Sequence, residues 1–220
     1  MLKRFRNRTE AGKILATKLT DYANRPDVLV LGLPRGGVPV AFEVAKALNA
    51  PLDVCLVRKL GVPGHKELAI GAIATSGVRV INENVVHLLR IPKQTIDRVV
   101  AMEMQELERR NRVYRGNRPL IEVKNHTIIL VDDGIATGST IRAAIATLKQ
   151  QLPKELIVAV PVAPPSTCDE LEAEVDKVVC VVMPEALHAI GIWYEDFEQT
   201  SDAKVCEILA RHKLLVANDS

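Results

Sequence analysis

Several short stretches of this 220-residue chain run through Val, Ile and Leu with hardly a polar interruption: "VLVLGL" at 28–33, "TIILV" at 127–131, "LIVAVPV" at 156–162 and "KVVCVVM" at 177–183. A strand with one wet face alternates apolar and polar residues. A continuous apolar strand is buried on both faces, the signature of a parallel sheet covered by helices. Helical periodicity fills the intervals. Residues 8–24 place Ile14, Leu15, Leu19 and Tyr22 on one side, and "VPVAFEVAKALNA" at 38–50 reads as a helix. Residues 93–115, 139–151 and 166–174 read likewise, as does the second half of the tail. "LDVCLVRKL" at 52–60 reads as one further strand. "GVPGHKELAIGAIA" at 61–74 opens as a Gly/Pro loop and ends as a strand, and "VRVIN" at 78–82 is a short strand. The expected fold class is α/β, a central and mainly parallel sheet flanked by helices, doubly wound. There is no internal repeat, low-complexity linker or clear domain boundary, so residues 1–220 read as a single domain.

Composition narrows the function. Lys plus Arg total 29 against 27 Asp plus Glu, a formal charge of +2, which argues against a dedicated nucleic-acid binder. The start "MLKRFRNR" is locally basic, but Glu10 follows at once, and a solvated helix start is the preferred reading over a transit or nucleic-acid arm. No apolar run approaches the roughly 18 residues of a membrane span, and no signal-peptide core is present. The four cysteines, Cys55, Cys168, Cys180 and Cys206, are dispersed without a CxxC pair, as expected of reduced thiols in a cytoplasmic protein.

The chemistry concentrates where two of the apolar runs stop. "ILVDDGIATGST" (129–140) takes a buried strand directly into two carboxylates, Asp132 and Asp133, and then into a loop of Gly, Thr and Ser. "LPRGG" (33–37) ends the other strand on a Gly turn carrying Arg35. In a parallel sheet, ligands bind beyond the carboxyl ends of the strands. Each turn also leads into a helix N-terminus, where free N–H groups and the dipole attract anions. Residues 134–140 offer successive backbone N–H groups, small hydroxyl side chains and glycines that permit close approach, a phosphate cradle. Neither the GxxxxGK[ST] nor the GxGxxG spacing is present. Adjacent carboxylates accept hydrogen bonds from vicinal hydroxyls and can help hold a hydrated Mg²⁺. The plainer alternative is a strand end capped by Asp before a Gly turn.

On these residues the chain resembles the type I phosphoribosyltransferase family. "ILVDDGIATGST" closely resembles that family's motif for phosphoribosyl diphosphate (PRPP): apolar strand, two acids, Thr-Gly phosphate loop. The resemblance implies a core over about 28–184 and a small hood from the terminal segments. It implies that Asp132 and Asp133 hold the ribose hydroxyls and, indirectly through water and PRPP, the metal. Gly134, Ala136, Thr137, Gly138, Ser139 and Thr140 would hold the 5′-phosphate. "LPRGG" looks like the pyrophosphate loop: Arg35 supplies a fork of donors, and Gly36 and Gly37 expose backbone N–H groups to a highly charged leaving group. "VRKLGVPGHKELAIGAIA" (57–74) resembles the flexible catalytic loop, most like that of adenine phosphoribosyltransferases. There Arg58, Lys59, His65 and Lys66 would add positive charge, and Lys59 and Glu67 join Arg35 as catalytic candidates. For His65 and Glu67 a solvated surface loop is an equal alternative.

Three of the chain's seven aromatics, Trp193, Tyr194 and Phe197, fall within five residues. With Ile192 they could form a stacking surface for a base, with Ile192, Trp193 and Tyr194 as the tentative contacts. The alternative, a core anchor for the C-terminal helix, is slightly favoured because this segment matches known hoods only loosely. Hypoxanthine- and xanthine-type relatives carry an Asp where this chain has Ala136, whereas adenine- and uracil-type relatives have Ala, so a 6-oxopurine acceptor is disfavoured.

The resemblance thus implies transfer of 5-phosphoribosyl from PRPP to a nitrogenous base, with Mg²⁺, in a cytoplasmic homo-oligomer that binds neither nucleic acid nor membrane. The apolar face of helix 93–115 is a candidate interface, or a cover for the site, with a solvated scaffold helix as the safer reading. The alternatives are a PRPP- or nucleotide-binding regulator on the same fold, and a phosphoribosyl-handling domain working beside a separate hydrolase or transferase.

Overall fold

The computed structural model describes residues 4–116 and 118–218, with the side chains of 65–67 and 216–218 outside the description. The chain divides into two compact units. The first comprises Met1–Cys55, Ile121–Gly138 and Leu152–Ser220, and the second Leu56–Leu120 and Ser139–Gln151.

The first unit holds a five-stranded sheet in the order β2-β1-β6-β7-β8, built from β1 (Val28–Gly32), β2 (Leu52–Val54), β6 (Thr127–Val131), β7 (Glu155–Val162) and β8 (Lys177–Val182). Every neighbouring pair is parallel. The order explains the sequence pattern. β1, β6 and β7 are central and are buried almost without a break, while β8 at the edge is mostly half-buried. Helices α1 (Arg8–Ala16), α2 (Gly37–Leu48), α6 (Pro165–Glu172) and α7 (Asp202–Asn218) flank it. α1 starts where Asn7 caps it, the Asn7 side chain accepting from Glu10 N at 3.0 Å. It packs closely on α2 at Gly12, where a Cβ would lie 2.7 Å from Val40 O. The expected helix 8–24 is therefore shorter, followed by a 3₁₀ turn over Thr20–Tyr22.

The second unit holds a three-stranded antiparallel sheet of β3 (Val57–Val62), β4 (His65–Ala74) and β5 (Arg79–Ile81). With it belong α3 (Glu83–Leu88), α4 (Lys93–Arg115) and α5 (Ser139–Lys149). Two sequence expectations are corrected here. The run 52–60 is not one strand: β2 pairs in the parallel sheet and β3 in the antiparallel one. Residues 52–57 are buried across the break, so apolarity alone gives no sign of it at Cys55 and Leu56. The expected loop in 61–74 shrinks to a turn at Pro63-Gly64, with Gly64 at φ +82, and the expected strand is β4; with β3 it makes a hairpin irregular in register at Gly61. α4 matches its expected span. Its apolar stripe packs on β3 and β4, with Leu107 fully buried and Ile96, Val99, Val100 and Met104 half-buried. α3, capped by Asn82, has no counterpart in the sequence reading.

Candidate functional site

In the first unit, β1 and β6 pair so that Gly32 stands beside Val131, and Leu33 N donates to Val131 O at 2.8 Å. Both strands therefore end level, and the Arg35 turn and the acid pair emerge side by side. Glycine lets them touch: a Cβ on Gly37 would lie 2.7 Å from Val131 O and 2.8 Å from Asp132 Cα. The Pro34–Arg35 peptide is cis. Arg35 projects outward with two-fifths of its side chain exposed, its Nη1 at 3.7 Å from Asp202 Oδ1.

The two acids differ sharply. Asp132 is half-buried, and its Oδ1 accepts from Asp133 N at 2.9 Å. Burial, with Asp133's charge adding, pushes its carboxyl well above the usual carboxylate range. Asp133 is 9% exposed and is not free. Arg8, 125 residues away in the sequence, donates from Nε to Asp133 Oδ2 at 2.8 Å, with Nη2 in ion-pair contact at 2.8 Å from the same oxygen. Its Nη1 donates to Glu198 O at 2.7 Å, and the Phe197 ring lies 3.9 Å from the guanidinium carbon. Burial raises the Asp133 carboxyl, and the Arg8 charge opposes the rise. Gly36 faces the same oxygen: a Cβ there would collide with Asp133 Oδ2 and lie 2.7 Å from Cγ. The missing side chain of Gly36 thus admits an acid of the neighbouring loop. Sequence reasoning missed Arg8, taking its surroundings as a solvated basic start.

The aromatic cluster closes this brace. Tyr194 is 3% exposed, its O–H donates to Asp133 O at 2.6 Å, and burial pushes its phenol far up. Its ring lies between Phe5 and Phe197, with centroids 5.5 and 4.9 Å away. Phe5 N donates to Trp193 O, and Glu195 N to Phe5 O. Tyr194 therefore has no open face for a base in this conformation. The cluster anchors the N-terminal segment, where the sequence reading weighed an anchor for the C-terminal helix. Trp193 is half-buried, and Ile192, 45% exposed, is the most accessible of the three tentative base contacts.

Along the loop that follows the acid pair, Gly134 is buried against Ile190 and Val162, where a Cβ would lie 2.7 Å from Ile190 Cγ2. It serves packing. Ala136 and Thr137 are exposed, and Gly138 turns the chain at φ +73. Ile135 N donates to Val162 O, and Thr167 Oγ1 to Ala136 O at 3.4 Å.

Within the second unit, Ser139 and Thr140 open α5. Lys59 is half-exposed on β3 opposite Ala72. Arg58, expected to bear on the pyrophosphate, is instead engaged by Glu103 of α4, Nε to Oε2 at 2.5 Å. The side chains of His65, Lys66 and Glu67 lie outside the described residues. No group of three or more His, Cys, Asp or Glu able to hold a metal occurs among the described residues, and no described helix is long and apolar enough to cross a membrane.

The phosphoribosyl transferase domain family matches residues 1–193. The chain belongs to this family. The Mycobacterium tuberculosis protein named "Putative phosphoribosyl transferase Rv0571c" is 44% identical over 210 residues, which is 96% of this chain but 47% of that protein. The chain thus spans about half the length of the curated relatives it matches. TT1426 from Thermus thermophilus is 40% identical, with a TM-score of 0.85 over 94% of this chain and 98% of that one. AQ2163 from Aquifex aeolicus, at 13% identity and TM-score 0.52 over 92% of this chain and 84% of its own, shares the fold. The parallel sheet with its flanking helices is thus the fold of a phosphoribosyltransferase, as the motif implied.

Proposed function

We propose that this chain transfers a 5-phosphoribosyl group from PRPP to a nitrogenous base and releases pyrophosphate. One observation carries the reading. The level ends of β1 and β6 bring an acid pair and a Gly-Gly-Arg turn into contact, so ribose hydroxyl acceptors sit directly beside donors for a polyanion. Asp132 and Asp133 accept the ribose hydroxyls. Ala136, Thr137 and Gly138, continuing to Ser139 and Thr140, present N–H groups and hydroxyls to the 5′-phosphate. Arg35 with the N–H groups of Gly36 and Gly37 takes the pyrophosphate. Arg35 is two-fifths exposed and its one ion pair, with Asp202, is long at 3.7 Å, which suits a group that can turn to a ligand.

Asp132 and Asp133 would hold Mg²⁺ only indirectly, through its waters and PRPP, as suits an ion that keeps most of its waters and is completed by substrate phosphates. Bound there, it would offset charge on the departing pyrophosphate. The chain's own contribution is to hold PRPP so that the anomeric carbon can acquire oxocarbenium character, and to stabilise the leaving group through Arg35. Lys59, and Glu67 beyond the described residues, remain the proposed catalytic groups of the hairpin. Ala136 in the phosphate loop points away from 6-oxopurine acceptors. We place the protein in the cytoplasm as a homo-oligomer; whole-protein activity in a chain half the length of its relatives belongs to the same proposal.

The test is pyrophosphate release with PRPP and Mg²⁺ across purines, pyrimidines, orotate and nicotinate. Release dependent on one base supports the transferase and names its acceptor. PRPP binding with no release on any base favours a regulator on this fold. Absence of PRPP binding refutes both.

A further inference from the structure

Asp133 is not equivalent to Asp132. Its Oδ2 accepts from Arg8 Nε at 2.8 Å, lies 2.8 Å from Arg8 Nη2 in the ion pair, and is shut in by the Gly36 backbone. No other described residue donates to its Oδ1. On Asp132 the roles are similarly split: Oδ1 takes the Asp133 N–H at 2.9 Å, which leaves Oδ2. The pair thus retains one uncommitted oxygen per acid, and a vicinal diol presents two O–H donors. The guanidinium that sets this arrangement is itself held. Its third nitrogen is tied to Glu198 O, Phe197 lies against it, and both partners of the ion pair are only 12% exposed.

Resting on the PRPP reading above, we propose that Arg8 is a positioning residue for ribose recognition: it locks Asp133 so that Asp133 Oδ1 and Asp132 Oδ2 face the two ribose hydroxyls together. Arg8 touches no reacting atom and acts only through Asp133. A planar fork fixes a carboxylate in orientation as well as in place, which an ammonium on a flexible stem does less well. Tyr194, by holding the Asp133 carbonyl at 2.6 Å, fixes the same residue from its backbone side.

The experiment compares binding of PRPP with Mg²⁺ and of pyrophosphate with Mg²⁺ by titration calorimetry. The proteins are the full chain, Arg8→Ala, Arg8→Lys, Asp133→Asn and Arg8→Ala combined with Asp133→Asn. Pyrophosphate lacks the ribose and reports the rest of the site. Arg8→Ala is expected to weaken PRPP about tenfold or more while pyrophosphate stays within about twofold, with Arg8→Lys in between. In the Asp133→Asn background the Arg8 change is expected to add little, since the two act as one unit. The inference is overturned by wild-type PRPP affinity in folded Arg8→Ala, by parallel loss of both ligands, or by additive effects in the double variant. If Arg8→Ala does not fold, Arg8→Lys carries the same comparison. Failure of the unaltered chain to bind PRPP would instead overturn the functional reading on which this rests.

Discussion

Replacing Gly36 with alanine tests the brace with a reversed sign. Gly36 has φ −64 and ψ −32, a right-handed conformation open to any residue. Judged by its backbone, Gly36→Ala should be neutral or stabilise by about 0.4–1 kcal/mol by restricting the unfolded chain. The surroundings predict the opposite. The new Cβ would overlap Asp133 Oδ2 and lie 2.7 Å from Asp133 Cγ and 3.3 Å from Arg8 Nε. Carbon atoms rest at about 3.5–4.0 Å, so the carboxylate must retreat by roughly 1 Å. That withdraws Oδ2 from the Nε hydrogen bond and the Nη2 contact of the guanidinium, in a pair only 12% exposed. Breaking a buried pair outright costs about 3–5 kcal/mol, and partial re-pairing puts the expected loss near 3 kcal/mol. At about 2–4 °C per kcal/mol for a chain of this size, Tm falls by about 6–12 °C. Thermal and urea unfolding followed by circular dichroism would measure it. In an Asp133→Ala background the same change should cost less than about 0.5 kcal/mol, because the collision partner is gone. A Tm for Gly36→Ala at or above wild type, or an equal loss in both backgrounds, would refute the reasoning.

Three further outcomes follow from the same geometry. Tyr194→Phe removes the donor to the Asp133 carbonyl and is expected to lower stability by about 1–3 kcal/mol; no change in urea midpoint would show that water replaces it. Leu107→Ala opens a cavity under α4, where Leu107 is fully buried, at about 2–5 kcal/mol. Faster amide exchange in Val57–Ala74 than in β1 and β6 is the expected accompaniment. His212 Nε2 lies 3.0 Å from Ala50 O while its buried Nδ1 has no partner among the described residues, and burial lowers its pKa below the ordinary value. The unfolded chain then binds the extra proton first. This contribution is complete above about pH 6.5 and is lost as pH falls through the window below it. In His212→Leu the stability–pH curve should be flatter there, and an unchanged slope would assign the dependence to other groups.

Much of this molecule is legible in one dimension. β1, β6 and β7 are continuous apolar runs because they are central in a sheet buried on both faces, and a covered strand leaves that imprint whatever its neighbours are. The acid pair and the Gly-rich loop declare themselves because they are consecutive residues at the end of an apolar run. Elsewhere the local signal ran out. Residues 54–57 are apolar without a break, yet the chain changes sheets between Val54 and Val57; composition reports burial, not which strand lies alongside. Tyr194 has the look of a stacking surface in sequence and proves to be enclosed by Phe5 and Phe197.

The sequence by itself determined that there would be a parallel sheet with an Arg-Gly-Gly turn at its carboxyl end and two carboxylates beside it. Only the tertiary structure decided what each carboxylate is free to do. The partner that distinguishes Asp133 from Asp132 lies 125 residues upstream. It is placed by an Asn-capped helix seated on another at Gly12 and by an aromatic cluster near the C-terminal end. An ion pair of that span has no periodicity, spacing or composition to betray it, because its geometry comes from the packing of elements and not from the order of residues.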